Sequence, residues 1–185
     1  MLPLAFITDL DGTLCDVLPA NVAAYSEAFT LAGYDFDETA YREHFGYRFD
    51  EMMDLIAPHI PAKHRNIIAS HKSAAYEKNL ASIVPNTPLI HFLRYAKKSG
   101  AKIGLCTTAK KVNATNVLRY LGIENLFDVI IFGEDVTKSK PDPECYVLAI
   151  KKLHAKPADS VIFEDTDIGM QAAIQAGAHA IKVKI

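Results

Sequence analysis

Two pairs of acids stand where apolar runs stop. Asp9-Leu10-Asp11-Gly12-Thr13 follows the run Pro3–Thr8, and Glu164-Asp165 follows Ser160–Phe163. If both runs are strands, each pair sits at a strand's C-terminal end. Alternation along an extended chain turns Asp9 and Asp11 to the same side, and Gly12 permits the turn after them. Alone, Asp-Leu-Asp-Gly is equally an ordinary acidic surface turn. Two carboxylate pairs brought together by a parallel sheet repel each other, so the cluster either raises its pKa values or takes up a cation. An all-oxygen ligand set favours a hard ion, Mg2+ rather than zinc. Asp167 is placed to cap a helix that starts near Ile168. Thr107 and Thr108 stand at the end of the run Ala101–Thr107, where a hydroxyl either caps a helix or donates to a phosphate. Lys140 precedes Pro141, which holds it extended, although a single lysine is most often solvated. Four strand ends thus offer carboxylates, hydroxyls and an ammonium, a set suited to Mg2+ and a phosphoryl group.

The elements that must position these residues have two textures. Beyond about Ser82 strands alternate with helices: Ala101–Thr107, Phe127–Phe132, Ser160–Phe163 and His179–Val183 read as strands. Val112–Leu121, Pro143–His154 and Ile168–Ala176 read as helices, the first and last closed by Gly122 and Gly177. Apolar runs separated by helices predict a parallel sheet covered by helices. Between Val17 and Ala81 the period is helical and no strand is convincing. Val22, Tyr25, Ala28 and Phe29 share a face before Gly33; Asp37 or Thr39 caps a short helix before Gly46; Phe49–Ala57 is a third helix. Pro61 opens a fourth that runs to about Ala81. This insertion follows the first strand, above the edge where open α/β sheets bind ligands.

Composition removes several classes. Half of the 185 residues are hydrophobic, 23% are charged and the net charge is −2, which excludes a disordered, collagen-like or disulfide-stapled chain. No apolar run approaches the roughly 20 residues that span a bilayer. The start, Met1–Asp11, has no basic stretch and is not a secretory signal. Cys15, Cys106 and Cys145 lack metal-ligand spacing, so they read as reduced thiols in a cytoplasmic protein. The charge balance leaves no footprint for nucleic acid, and a monomer is the default.

The set Asp9-Leu10-Asp11-Gly12-Thr13, Thr107, Lys140-Pro141 and Glu164-Asp165 with Gly169 resembles the four motifs of the haloacid dehalogenase superfamily of hydrolases. The resemblance covers nearly the whole chain. The insertion and the phrase VIFEDTDIGMQAA are similar to the β-phosphoglucomutase and small sugar-phosphate phosphatase branch, fructose-1-phosphate phosphatases included. It implies a Rossmann-like, doubly wound parallel sheet over residues 1–16 and 82–185, with a helical cap over 17–81. It also implies that Asp9 is the nucleophile that becomes an aspartyl-phosphate, and that Asp11 is the acid and then the base. Thr107 and Lys140 would hold phosphoryl oxygens, beside Thr108. Mg2+ would be held by Asp9, the Asp11 carbonyl and Asp165, with Glu164 in or near its shell. In the cap, Arg48 and Lys72 fall near substrate-reading positions, and Asn21 stands where the mutase branch carries a histidine. The implied activity is Mg2+-dependent hydrolysis of small phosphate monoesters. Two alternatives remain open here: a phosphosugar mutase, and a phosphorylation-switched receiver-like signalling module.

Overall fold

The computed structural model describes residues 4–185. The chain divides into two compact units, one running to Asp16 and resuming at Pro85–Ile185, the other Val17–Val84.

In the first unit, strand β1 is Ala5–Thr8 and the two-residue strand β2 is Cys15–Asp16. Four helices of the second unit follow: α1 (Leu18–Leu31), α2 (Glu38–Glu43), α3 (Phe49–Ile56) and α4 (Ala62–Lys78). A two-residue strand β3 (Val84–Pro85) precedes α5 (Thr87–Lys98), β4 (Lys102–Cys106), α6 (Lys111–Tyr120) and β5 (Val129–Ile131). The chain closes with α7 (Glu144–Lys152), β6 (Ser160–Glu164), α8 (Asp167–Gln175) and β7 (His179–Lys182). The expected elements are present, with ends moved by a few residues; Pro3 of the first run lies outside the described residues. Helix α5 has no counterpart among the elements expected from sequence, although Leu89, Ile90, Leu93 and Ala96 form its buried stripe. Its opening is marked by Asn86, whose side chain accepts from the Leu89 N–H, and by Pro88 in the first turn.

The main sheet has the order β5-β4-β1-β6-β7 and every pairing in it is parallel. Counting only these five strands along the chain, the order is 3-2-1-4-5. That is the doubly wound order whose reversal lies between the first and fourth strands, and ligands bind outside the strand ends at that reversal. Receiver-type sheets follow the order 2-1-3-4-5, so the strand order overturns the receiver alternative.

Register places the site. Thr8 pairs with Leu105 on one side and Phe163 on the other. The next residues, Asp9 and Glu164, therefore leave adjacent strands at the same edge, across the reversal. On one face Ala5, Ile7, Cys106 and Ile131 pack against Cys145, Tyr146, Ala149, Ile150 and Leu153 of α7, and against Ala172, Ala173 and Ala176 around α8. Gly104 lets α7 approach, since a Cβ there would lie 3.1 Å from Leu153 Cδ1 and 3.2 Å from Ile7 Cγ1. The opposite face carries an aromatic trio: Phe6 meets Phe92 of α5 at 5.0 Å between centroids, and both rings meet Phe163.

The second unit is built around rings. Tyr25, Phe29, Phe36, Tyr41 and Phe45 pack in a chain of stacked, tilted and edge contacts, the shortest 4.9 Å between Tyr25 and Tyr41. Met52, Met53 and Ile68 fill the same cluster. Asp37 caps α2 by accepting from the Ala40 N–H at 2.9 Å.

Candidate active site

Asp9 leaves β1 with its backbone N–H donating to Phe163 O at 3.0 Å, which ties the strand end to β6. Its carboxylate accepts from Lys140 Nζ at 2.6 Å, and the same ammonium donates to Glu164 Oε1 at 2.5 Å. All three side chains are buried, with exposures of 9% (Asp9), 5% (Lys140) and 1% (Glu164). Acids from two adjacent strand ends and an ammonium from the β5–α7 loop thus form one bridge. The peptide bond between Lys140 and Pro141 is cis.

Glu164 is engaged on both oxygens. Tyr146 donates its hydroxyl to Oε1 at 2.8 Å. Oε2 accepts from the Asp165 N–H at 3.0 Å and from the Thr166 N–H and hydroxyl, each at 3.1 Å. Asp165 accepts from the Thr13 hydroxyl at 3.0 Å. Two glycines make room for these acids. A Cβ on Gly12, whose φ is +89°, would lie 2.2 Å from Asp165 Oδ2, and one on Gly169 would lie 1.9 Å from Glu164 Oε1. Gly12 therefore serves close approach as well as the turn.

Two local expectations change. The chain bends at Leu10 instead of staying extended, so strand alternation does not carry through to Asp11. The cap of α8 is Thr166, whose hydroxyl accepts from the Gly169 N–H at 3.1 Å, not Asp167. Asp167 is the first helical residue and pairs with Lys182.

The electrostatics follow from burial. Desolvation pushes the Asp9 carboxyl well up; Lys140 opposes the shift, while Glu164 and Asp11 add to it. Asp165 is also raised by burial and by Glu164. Burial works against the Lys140 ammonium, but Asp9, Tyr146 and Glu164 outweigh it and hold its pKa well above the usual range. Glu164 is lowered despite its burial, by Lys140 and its hydrogen-bond donors. The bridge thus contains an ionised lysine and an ionised glutamate, next to two carboxyls that a cation would relieve. Among the described residues, no three Asp, Glu, His or Cys side chains form a ready cage. The carboxyls of Asp9 and Asp165, both raised by burial, are hard oxygen donors that fit Mg2+, which keeps several waters and takes one or two carboxylates alongside substrate oxygens.

Thr107 directly follows β4 at the same edge, its backbone N–H donating to Ile131 O at 3.0 Å and its hydroxyl accepting from the Ala109 N–H at 3.0 Å. Thr108 follows it, half-buried. Asn21, Arg48 and Lys72 belong to the second unit. Asn21 is buried and donates its side-chain N–H to Val17 O at 3.1 Å, one turn back. Lys72 is buried with its ammonium 4.2 Å from the Tyr76 ring centroid and 5.1 Å from that of Tyr25. Arg48 is half-buried and caps α3, its backbone N–H donating to Glu51 Oε2 at 3.3 Å.

Sequence reasoning passed over Tyr146 and gave Thr13 and Thr166 no role. Tyr146 carried one signal: it lies on the apolar stripe of α7, and a buried tyrosine hydroxyl needs a partner.

The geometry gathers buried carboxyls and an ammonium at the ligand-binding edge of a doubly wound sheet. The sequence profile of the haloacid dehalogenase-like hydrolases matches residues 6–183; the chain belongs to that family. It is 30% identical over 181 residues to a phosphorylated carbohydrates phosphatase of Thermotoga maritima, covering 96% of this chain and 83% of that protein. It is 27% identical over 180 residues to the fructose-1-phosphate phosphatase YqaB of Escherichia coli, covering 97% and 95%. The crystal structure of a β-phosphoglucomutase from Clostridium difficile superposes with a TM-score of 0.83 at 27% identity, over 99% of this chain and 85% of that one.

Proposed function

We propose that this phosphoric monoester hydrolase releases phosphate from small sugar phosphates through an aspartyl-phosphate on Asp9, with Mg2+ bound. The observation that carries the reading is the bridge Asp9–Lys140–Glu164, with Lys140 Nζ 2.6 Å from Asp9 Oδ1. It fixes one carboxylate beside a permanent positive charge at a strand edge suited to ligands. Asp9 attacks phosphorus and the ester oxygen departs. Asp11 donates the proton to that oxygen, then takes one from the water that hydrolyses the acyl phosphate. Lys140 and Thr107 hold the phosphoryl oxygens as charge redistributes, and Thr108 extends that contact. Asp9, the Asp11 carbonyl and Asp165 would hold Mg2+, with Glu164 adjoining them. Bound there, the ion neutralises phosphoryl charge. The cap residues Asn21, Arg48 and Lys72 read the remainder of the substrate.

Hydrolysis is favoured over the mutase reaction by Asn21. It brings no ionisable group, and it donates its amide N–H to its own helix. The test is phosphate release from a panel of hexose, polyol and other small phosphate esters, with Mg2+ and with EDTA. Turnover that EDTA abolishes is expected. Turnover indifferent to EDTA overturns the metal assignment. Conversion of β-glucose 1-phosphate to glucose 6-phosphate, with trace bisphosphate and no free sugar, replaces the phosphatase by the mutase.

A further inference from the structure

The ammonium of Lys140 sits at the end of a flexible four-carbon stem, yet its task requires placement to a fraction of an ångström. Asp9 is not a constant anchor, because its carboxylate loses its negative charge when one of its oxygens bonds phosphorus. Glu164 is one. Its Oε2 is locked by three donors from Asp165 and Thr166. Its Oε1 receives two donors, Lys140 at 2.5 Å and the Tyr146 hydroxyl at 2.8 Å. Tyr146 also lies beneath the ammonium, with its ring centroid 5.0 Å from Lys140 Nζ. The ring is wholly buried in the α7 side of the core with Cys145, Ala149, Ile150 and Leu153, so it has no room to swing.

We propose that Tyr146 is the positioning residue for Lys140. Its hydroxyl occupies the second lone-pair site of Glu164 Oε1, and its ring face supports the ammonium. Because the hydroxyl shares Oε1, Glu164 holds Lys140 without drawing it off Asp9. Without the hydroxyl, the carboxylate offers that oxygen wholly to the ammonium and the lysine shifts towards Glu164. This inference rests on Lys140 serving the phosphoryl group as proposed above.

The experiment compares Tyr146→Phe with wild type, and again in a Lys140→Ala background, measuring kcat and KM for the best substrate of the panel and the thermal midpoint. Tyr146→Phe keeps the ring and the Lys140–Glu164 pair. It is expected to lower kcat about tenfold, the effect of one hydrogen bond to a charged group. KM should move less than about twofold, since the interaction matters in the transition state. In the Lys140→Ala background the same change should cost nothing further. Placing 4-aminophenylalanine at 146 restores a donor in the same spot, and kcat should return to within about threefold of wild type. That variant also reads the proposal should Tyr146→Phe fold poorly. An unchanged kcat in Tyr146→Phe, an equal loss in both backgrounds, or no recovery with the amino analogue overturns the positioning role and leaves the phosphatase reading standing. A wild type without turnover overturns both.

Discussion

The two units solve different problems with different materials. In the unit that holds β1, β4 and β6, polar groups are locked to one another: Lys140 to two acids, Glu164 to five donors, Asp165 to Thr13. In the helical unit the interior is a stack of rings with two methionines, and the buried ammonium of Lys72 lies over tyrosine faces. Strand ends are fixed by sheet register, so chemistry that tolerates little displacement is built there. Helix faces held by aromatic and methionine packing can be repacked at small cost, which suits the substrate-reading role proposed for Asn21, Arg48 and Lys72. The first unit should therefore fail abruptly when altered, and the second should change its preferences gradually.

The sharpest break is Asp9→Asn. It keeps the shape and removes the nucleophile, so kcat should fall by about 10,000-fold or more while circular dichroism is unchanged. Residual turnover within tenfold of wild type, on the scale of ordinary substitutions, would remove Asp9 from the reaction.

Gly169→Ala comes next. The new Cβ would sit on the pinned Glu164 carboxylate, and the strain should cost about 1–3 kcal/mol, with kcat falling as the Lys140 anchor moves. Urea unfolding with parallel kinetics measures both; a variant equal to wild type in both would show that α8 yields freely.

Lys72→Met tests the softer unit. Replacing a buried charge by an apolar group of similar length is often neutral or stabilising. The thermal midpoint should hold or rise while KM for the best sugar phosphate rises about tenfold, one ion-pair contact's worth of affinity. An unchanged KM across the panel would take Lys72 out of substrate reading.

The smallest effect belongs to Glu144. Its carboxylate accepts from the backbone N–H groups of Thr137 and Lys138 at 2.7–3.1 Å, bracing the loop that carries Lys140. Those bonds hold its pKa below the ordinary glutamate value. A depressed folded value means that its stabilising contribution is complete above the unfolded pKa and is lost as pH falls through the folded one. Glu144→Gln should flatten the acid side of a midpoint-against-pH curve and leave neutral kcat nearly intact. A parallel downward shift of the whole curve would contradict that.

Much of this contrast was legible in the sequence, and unevenly so. Asp9, Asp11, Glu164 and Asp165 announce themselves because each pair lies at the end of its own strand; short-range order alone sets their location. The four helices of the second unit follow from a 3.6-residue period and from Asp37, Pro61 and Gly33 as boundaries. What escaped depends on tertiary approach. Tyr146 is one apolar-stripe residue among several until α7 is docked and its hydroxyl meets Glu164. Thr166 and Asp167 are both good caps, and only the backbone at the end of β6 decides between them. Gly12 and Gly169 read as turn and motif residues; the carboxylates beside them supply the steric reason. Helix α5 was missed because its stripe lies between exposed Phe92 and Tyr95, which blur the pattern.

Asp9 is proposed to carry the phosphoryl group during turnover. The direct measurement is an acid quench of the enzyme while it hydrolyses a sugar phosphate with Mg2+, followed by borohydride reduction of any acyl phosphate and peptide mass spectrometry. Homoserine is expected at position 9, absent without substrate and absent in Asp9→Asn. Brisk phosphate release with unmodified Asp9, or the label on another residue, would contradict it.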